Sequence, residues 1–438
     1  MTDIRTSSAL SPAVPTGLTG SDHDLLLDLL RLPTVSPLET DERGQLWAAQ
    51  RRYAAAAAEF GCAVVRHQPP DPSAVLRPDT PLAVRAAMAD RPGFLDQQPS
   101  LVLRLGPAQP AGRTVMFNVH LDTVAGTWPA DVDGRRFTGR GAIDAKGPAV
   151  ALLAGVRAAA AADPSIGSEV TVLIQAVAGE EGGALGTIGT RPLIELGFTG
   201  RLNVFCEPTG LRYLPRATAA MTACVRVSGE DAIDDRPQAG HNATVLLGWL
   251  AQFLAHRLGT TTDSAMCVAG MYTGQSHNKV YGSGTLLLNL PYADAAAGPG
   301  IERAVDTALR DGLAEFAERF ADIRAFARTA ADATAITELE WHKRGLPALS
   351  NTDPWGEALL DRSGLRRWPD DQPAFTCDAI WCAGLPDAYT VVLGPGSLSD
   401  NRAHAAGEFA ELSELDEFAA AVTNLLRHFA EDQRMTRS

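Results

Sequence analysis

Thr114-Val115-Met116-Phe117-Asn118-Val119-His120-Leu121-Asp122 is a short, almost unbroken apolar run that ends in a histidine and an aspartate. A run of this length and β-branched content predicts a strand buried on both faces, as in a parallel sheet. Working outward, Val170 to Ala178 is a second such run, followed by Gly179-Glu180-Glu181. Leu202 to Phe205 precedes Cys206-Glu207-Pro208, and Thr390 to Leu393 precedes Gly394-Pro395-Gly396, with His404 a few residues on. Between the first two runs, Gly139-Arg140-Gly141-Ala142-Ile143-Asp144 leads into the Ala-rich helical stretch Lys146 to Ala162. Strands alternating with helices predict α/β layering. Parallel sheets present ligands at the carboxyl ends of their strands, so these acids and imidazoles should gather in one cleft as a two-metal site.

The bulk properties narrow the partners. At 438 residues the chain is long enough for two domains. Its net charge of −14 argues against nucleic acid and anionic membrane surfaces, and no apolar run reaches the roughly 18 residues that span a bilayer. Six scattered cysteines without a CxxC pair, and no secretory pattern at the N-terminus, predict a reduced cytoplasmic protein acting on small molecules.

Residues 1–20, rich in Ser, Thr, Pro and Gly, are expected to be a flexible lead-in. Ser21-Asp22-His23-Asp24 reads as a helix cap before Leu25 to Leu32, and Gly44 to Phe60 as a helix stopped by Gly61. Cys62 to His67 and Leu101 to Leu105 read as strands, with Pro69 to Pro99 an irregular surface excursion. After Glu207 the pattern changes to alternating strands at Ala217 to Gly229 and Met266 to Leu290, and amphipathic helices at Ala239 to Leu258 and Gly300 to Phe320. The expected organisation is a catalytic domain of residues 21–217 and 336–438 with an inserted α+β lid and dimerisation domain of residues 218–335. The parallel core is expected to resume through Trp355 to Leu360, Ala374 to Trp381 and Tyr389 to Gly394, closed by a helix from Leu412 to Phe429.

In order and content these motifs resemble the M20 family of dinuclear zinc amidohydrolases, which includes acetylornithine deacetylase, succinyl-diaminopimelate desuccinylase, aminoacylases and carboxypeptidases. The likeness runs over nearly the whole chain past Gly20. It implies a mixed-sheet zinc-peptidase catalytic domain, with His120 and Glu207 on one Zn²⁺, Glu181 and His404 on the other, and Asp144 bridging. It implies that Asp122 orients His120 and that Glu180 is the general base. Imidazole and carboxylate suit Zn²⁺, with Co²⁺ or Mn²⁺ as alternatives, and a water between two such ions is readily deprotonated by a carboxylate that binds neither. The resemblance further points to Arg216 as a grip for a substrate carboxylate, to Thr376 as a hydroxyl near the substrate, and to Asn278 as a lid residue offered to a partner subunit. A homodimer through the lid is implied, with the apolar face of Ala239 to Leu258 suited to it.

Two positions depart from the family pattern. Where relatives carry a lid histidine that polarises the substrate carbonyl, this chain has Ile233, in Gly229-Glu230-Asp231-Ala232-Ile233. Where relatives carry an Asp-x-Arg strand, it has Leu288-Asn289-Leu290-Pro291. Losing one oxyanion donor typically costs about 2.7–4 kcal/mol of barrier. Either His277 or His241 supplies the donor, or the substrate needs less activation, or the metals serve a non-hydrolytic step such as amide formation. A homologue that binds metal or substrate without turnover is a further alternative.

Overall fold

The computed structural model describes residues 17–259 and 266–435. Most of the expected N-terminal lead-in lies outside the described residues. A six-stranded mixed sheet forms the larger layer, ordered Ala63–Gln68, Ser100–Leu105, Thr171–Val177, Thr114–His120, Leu202–Phe205 and Tyr389–Val392. The last four strands are mutually parallel, and the first two join antiparallel. The Thr114–His120 strand is buried at all seven positions, because both of its faces are covered. Val115, Phe117 and Val119 enter the core under the helices Lys146–Ala162 and Leu412–Met435, while Met116 faces the opposite apolar layer.

The first helix is Gly20–Arg31, and its cap is Thr19, not the expected Ser21 stretch. Thr19 and Asp22 bond each other's backbone amides in a capping box, so Asp22 serves the first turn and does not precede it. The second helix, Leu46–Ala58, stops before Gly61, whose φ of +97° reverses the chain into the first strand. The stretch from Pro69 to Pro99 is not an irregular excursion. It holds the helices Pro72–Val75 and Leu82–Asp90, and its Val75, Val84, Ala87, Phe94 and Leu95 bury against Ala184 and Ile188. It therefore covers the segment that follows Glu181. Trp355 to Leu360, expected within the resumed parallel core, belongs to the helix Pro354–Arg362 capped by Asp353.

A second sheet of four strands is ordered Cys267–Tyr272, Ser283–Tyr292, Ala219–Ser228 and Thr337–Lys343. One face is covered by the helices Ala243–Gly259 and Gly298–Phe320, and its Met221, Ala223, Val225, Leu286, Leu288 and Leu290 form their core. Leu246, Leu247, Leu250 and Leu254 are buried there, so the apolar face expected to join two subunits is occupied within this layer. All six cysteines are free thiols, and among the described residues no helix is long and apolar enough to cross a membrane.

Candidate metal centre

Each expected ligand lies just past the carboxyl end of a sheet strand or in a loop folded over those ends. His120 is the last residue of its strand, and Glu207 follows the Leu202–Phe205 strand by two. After Thr171–Val177 the chain turns at Gly179, where φ is +70° and a side chain would strike Ile188 at 2.8 Å, and this turn delivers Glu180 and Glu181. Asp144 ends the loop before the helix Lys146–Ala162. Glu408 fixes that loop: its carboxylate accepts the backbone N–H of Gly141, Ile143 and Asp144, and pairs with Arg140 at 2.7 Å. His404 has a left-handed backbone (φ +61°) within a turn closed by the Ala405 N–H to Arg402 carbonyl bond.

Two groups of possible ligands meet at one carboxylate. His120 Nε2 lies 2.8 Å from Asp144 Oδ1 and 3.7 Å from Glu207 Oε1. His404 Nε2 lies 3.1 Å from Asp144 Oδ2 and 3.0 Å from Glu181 Oε1. The sets His120, Asp144, Glu207 and Asp144, Glu181, His404 can each converge on an ion, with ligand atoms within 4.8 Å of one another. Glu180 shares such a neighbourhood with His120 and Glu181.

The second ring nitrogen of His120 is engaged by a different atom than expected. Nδ1 donates to the Asp122 carbonyl at 2.9 Å, whereas the Asp122 carboxylate stands 3.9 Å away. That carboxylate accepts the N–H of Gly179 at 3.1 Å and of Glu181 at 3.2 Å. Asp122 thus orients His120 through its backbone and props the Glu180–Glu181 turn through its side chain.

The electrostatics suit a cation. Burial raises Glu181 to about 7 and Glu207 to about 8, and burial together with Asp378 lifts Glu180 well above the carboxylate range. Burial opposes ionisation of Asp144 too, but the imidazoles of His120 and His404 hold it below the usual range. The same contacts, to Asp144 and then Glu181, lift His404 to about 10. Among the described residues no lysine or arginine pairs with Asp144, Glu181 or Glu207. Buried carboxylates so crowded need compensating positive charge, and oxygen and imidazole donors in two sets around a shared carboxylate fit two divalent ions.

The remaining expected residues lie elsewhere. Arg216 donates to the carbonyls of Pro369 at 3.3 Å and Gln372 at 3.4 Å, which ties its guanidinium to a neighbouring loop. Thr376 Oγ1 meets Thr218 Oγ1 at 3.0 Å where the two sheets adjoin. His277 and Asn278 sit on an exposed turn, with Asn278 bonded to Ser276, and Ile233 beside them pairs with Lys279 and is 58% exposed. His241 is not a free donor: its Nδ1 accepts the Glu230 N–H at 2.8 Å and its Nε2 reaches Asp332 at 3.0 Å. Two acids went unforeseen. Asp378 is buried near the ligands, bonded by Thr190 and raised to about 7 by burial. Its signal was the Thr376-Cys377-Asp378 turn, read only for its threonine. Glu408 carries no local sequence signal.

The model of peptidase family M20/M25/M40 matches residues 116–428. The chain belongs to this family. Among curated relatives, a protein of Aeropyrum pernix named provisionally as a LysW-lysine/LysW-ornithine hydrolase is 31% identical over 217 residues. That match covers 48% of this chain and 55% of the relative, so the chain spans about half the length of the curated protein it matches. Solved structures share the M20 fold along most of the chain. A Staphylococcus aureus tripeptidase has a TM-score of 0.67 at 15% identity, covering 94% of this chain and 98% of its own. Human carnosine dipeptidase 1 gives 0.64 at 15%, covering 94% and 97%. An M20 metallo-carboxypeptidase of Sulfolobus solfataricus gives 0.66 at 12%, covering 94% and 100%. At these identities the likeness concerns the fold. The chain is an M20-family protein with a mixed α/β architecture.

Proposed function

We propose that this M20 protein hydrolyses the amide bond of a small N-acyl amino acid or dipeptide-like substrate that carries a carboxylate. The observation that carries the reading is the Asp144 carboxylate, each oxygen of which faces a different histidine, with Glu180 beside both sets. His120 and Glu207 would hold one Zn²⁺, Glu181 and His404 the other, and Asp144 both; Co²⁺ or Mn²⁺ suit the same donors. When bound, the ions supply Lewis acidity to the carbonyl and acidity to a shared water. Glu180 belongs to neither ligand set around Asp144, so its carboxylate is the group placed to take the water's proton and return it to the leaving amine. Asp122 and Glu408 keep the turns that carry these groups in register. The names of the structural relatives, a tripeptidase, a dipeptidase and a carboxypeptidase, agree with amide chemistry, and that of the Aeropyrum relative with hydrolysis at an amino acid.

A homodimer through the lid remains part of this reading. Its surface moves from the Ala243–Gly259 helix to the edge strand Cys267–Tyr272, where Val268, Met271 and Tyr272 are exposed. A second reading, a non-hydrolytic dinuclear enzyme, is favoured by Ile233, which offers no donor at the lid position where relatives carry histidine. One experiment separates them: metal content, and cleavage of an N-acyl amino acid and dipeptide library by wild type and Glu180→Gln. Cleavage that vanishes in the variant with both metals retained supports hydrolysis. Two bound metals without any cleavage by wild type overturns it, and a physiological function that survives Glu180→Gln points to a homologue without turnover.

A further inference from the structure

A cavity of about 240 Å³ lies between the segment that follows the first helix, the loop after Asp122 and the start of the helix Lys146–Ala162. None of His120, Asp144, Glu181, Glu207 and His404 lines it. Its apolar walls include Leu30, Val35, Pro129 and Ala130, and its polar ones Thr34, Thr123, Trp128 and Lys146. Two backbone bonds set the threonines side by side: the Thr123 N–H donates to the Thr34 carbonyl at 3.0 Å, and the Ser36 N–H to the Thr123 carbonyl at 2.8 Å. The Trp128 ring is held by its face, which lies 4.9 Å from the Arg140 guanidinium carbon.

Lys146 opens a 17-residue helix, where the positive end of the macrodipole disfavours a cation, and it is only 1% exposed. Its stem runs past Gly141, where a β-carbon would stand 2.9 Å from Lys146 Cδ and 3.1 Å from Thr123 Cγ2. The ammonium ends on the Leu32 carbonyl at 3.0 Å, its one hydrogen bond among the described residues. An ammonium has three N–H groups, so two are left unused. No carboxylate among the described residues pairs with it: Glu408 is taken by Arg140 and three backbone amides, and Asp122 faces the amides of Gly179 and Glu181. Around the same cavity the hydroxyls of Thr34 and Thr123 and the indole N–H of Trp128 are buried without a partner among the described residues. Buried polar groups are nearly always bonded, so three such groups beside an unpaired ammonium form a donor set for which the chain supplies no acceptor.

We propose that this cavity is a binding site for a small carboxylate, whose oxygens are received by Lys146, Thr34, Thr123 and Trp128 and whose short aliphatic tail lies against Leu30, Val35, Pro129 and Ala130. An ammonium and an indole N–H only donate, and a hydroxyl can donate, so the matching group brings acceptors and negative charge. Its charge compensates a buried cation that the chain leaves unpaired. Inorganic phosphate offers the same acceptors but nothing to cover the apolar walls. The inference goes beyond the amide-hydrolase reading and does not depend on it, because no metal ligand lines the cavity.

The test titrates metal-loaded wild type, Thr34→Val, Trp128→Phe and Lys146→Met calorimetrically with sodium butyrate and with inorganic phosphate at constant ionic strength. Because carboxylates also bind metal ions, the position is read separately, from the bromine anomalous signal of 3-bromopropionate in crystals of wild type. Wild type should bind one butyrate per chain, more tightly than phosphate, and the bromine signal should fall between Lys146 and Trp128. Thr34→Val and Trp128→Phe each remove one donor and should weaken butyrate about ten- to a hundredfold, the worth of a hydrogen bond to a charged group. Lys146→Met should abolish binding, and if it does not fold the two conservative variants decide alone. No uptake by wild type, affinity unchanged in Thr34→Val and Trp128→Phe, or bromine found only at the metal centre would overturn the proposal. Phosphate binding as tightly as butyrate would overturn the assignment to a carboxylate with an apolar tail.

Discussion

His404 Nε2 lies 3.1 Å from Asp144 Oδ2, leaving the other oxygen of that carboxylate to His120. The two ligand sets are thus separable except at Asp144. His404→Ala should lower metal content from two ions per chain to one, because His120, Glu207 and Asp144 remain. Asp144→Ala should lose both. Elemental analysis after dialysis against trace zinc decides the matter, and a full complement in His404→Ala would refute the two-set arrangement.

Glu408 reaches the same loop from beneath. It accepts three backbone amides of the Gly141 to Asp144 segment and neutralises the buried Arg140. Removing one partner of a buried pair costs about 3–5 kcal/mol, since the other charge is left uncompensated. Glu408→Gln should show that loss in urea unfolding and should also bind metal more weakly, because one of the two oxygens that hold the Asp144 loop becomes an NH2 donor and the charge that strengthens the remaining bonds is gone. Stability falling while metal affinity stays intact would separate Glu408 from the positioning of Asp144.

The division between what was legible and what was not has a physical basis. His120, Glu181 and Glu207 each follow an apolar strand, so local pattern and the geometry of parallel sheets together placed them. His404 follows a polar loop and was legible only through the order of the motifs. The segment after Pro69 looked irregular because its short helices lack a strong apolar period, and the residues that hold it, Ala184 and Ile188, lie about a hundred positions away. His241 looked free because its partners, Glu230 and Asp332, belong to separate elements. Glu408 acts through folded contacts that no spacing announces, whereas Asp378 stands in a turn whose threonine alone drew the reading.

Gly155 lies where the helix Lys146–Ala162 crosses the helix Leu412–Met435. A β-carbon there would stand 2.6 Å from the Ala419 carbonyl oxygen and 2.7 Å from Val422 Cβ, and the Gly155 carbonyl accepts a bond from Thr423 Oγ1 at 3.1 Å. Neither backbone nor a β-branched carbon gives way easily. Gly155→Ala should therefore destabilise by about 1–3 kcal/mol through overpacking, even though alanine favours an isolated helix. The check is the urea midpoint at unchanged m-value, and a stabilised variant would show that the two helices can move apart freely.

Asp22 links the first helix to the same long helix. Its carboxylate accepts from both terminal nitrogens of Arg157, at 2.9 and 2.6 Å, and from the Thr19 amide at 2.7 Å. Burial opposes its ionisation, but the bonds from Arg157 and Thr19 outweigh burial and lower its pKa below the ordinary 3.8. A depressed folded pKa contributes stability that is fully present above the unfolded value and is lost as pH falls through the folded one. Wild type should exceed Asp22→Asn by about 1–2 kcal/mol at neutral pH, the charged bonds being discounted because Arg157 is partly exposed. That difference should be flat from about pH 5 to 8 and shrink below about pH 4, where the wild-type carboxylate takes up its proton. Urea melts of both proteins at stepped pH measure it directly, and a difference that grows toward acid would mean that the Arg157 contact contributes no net stability.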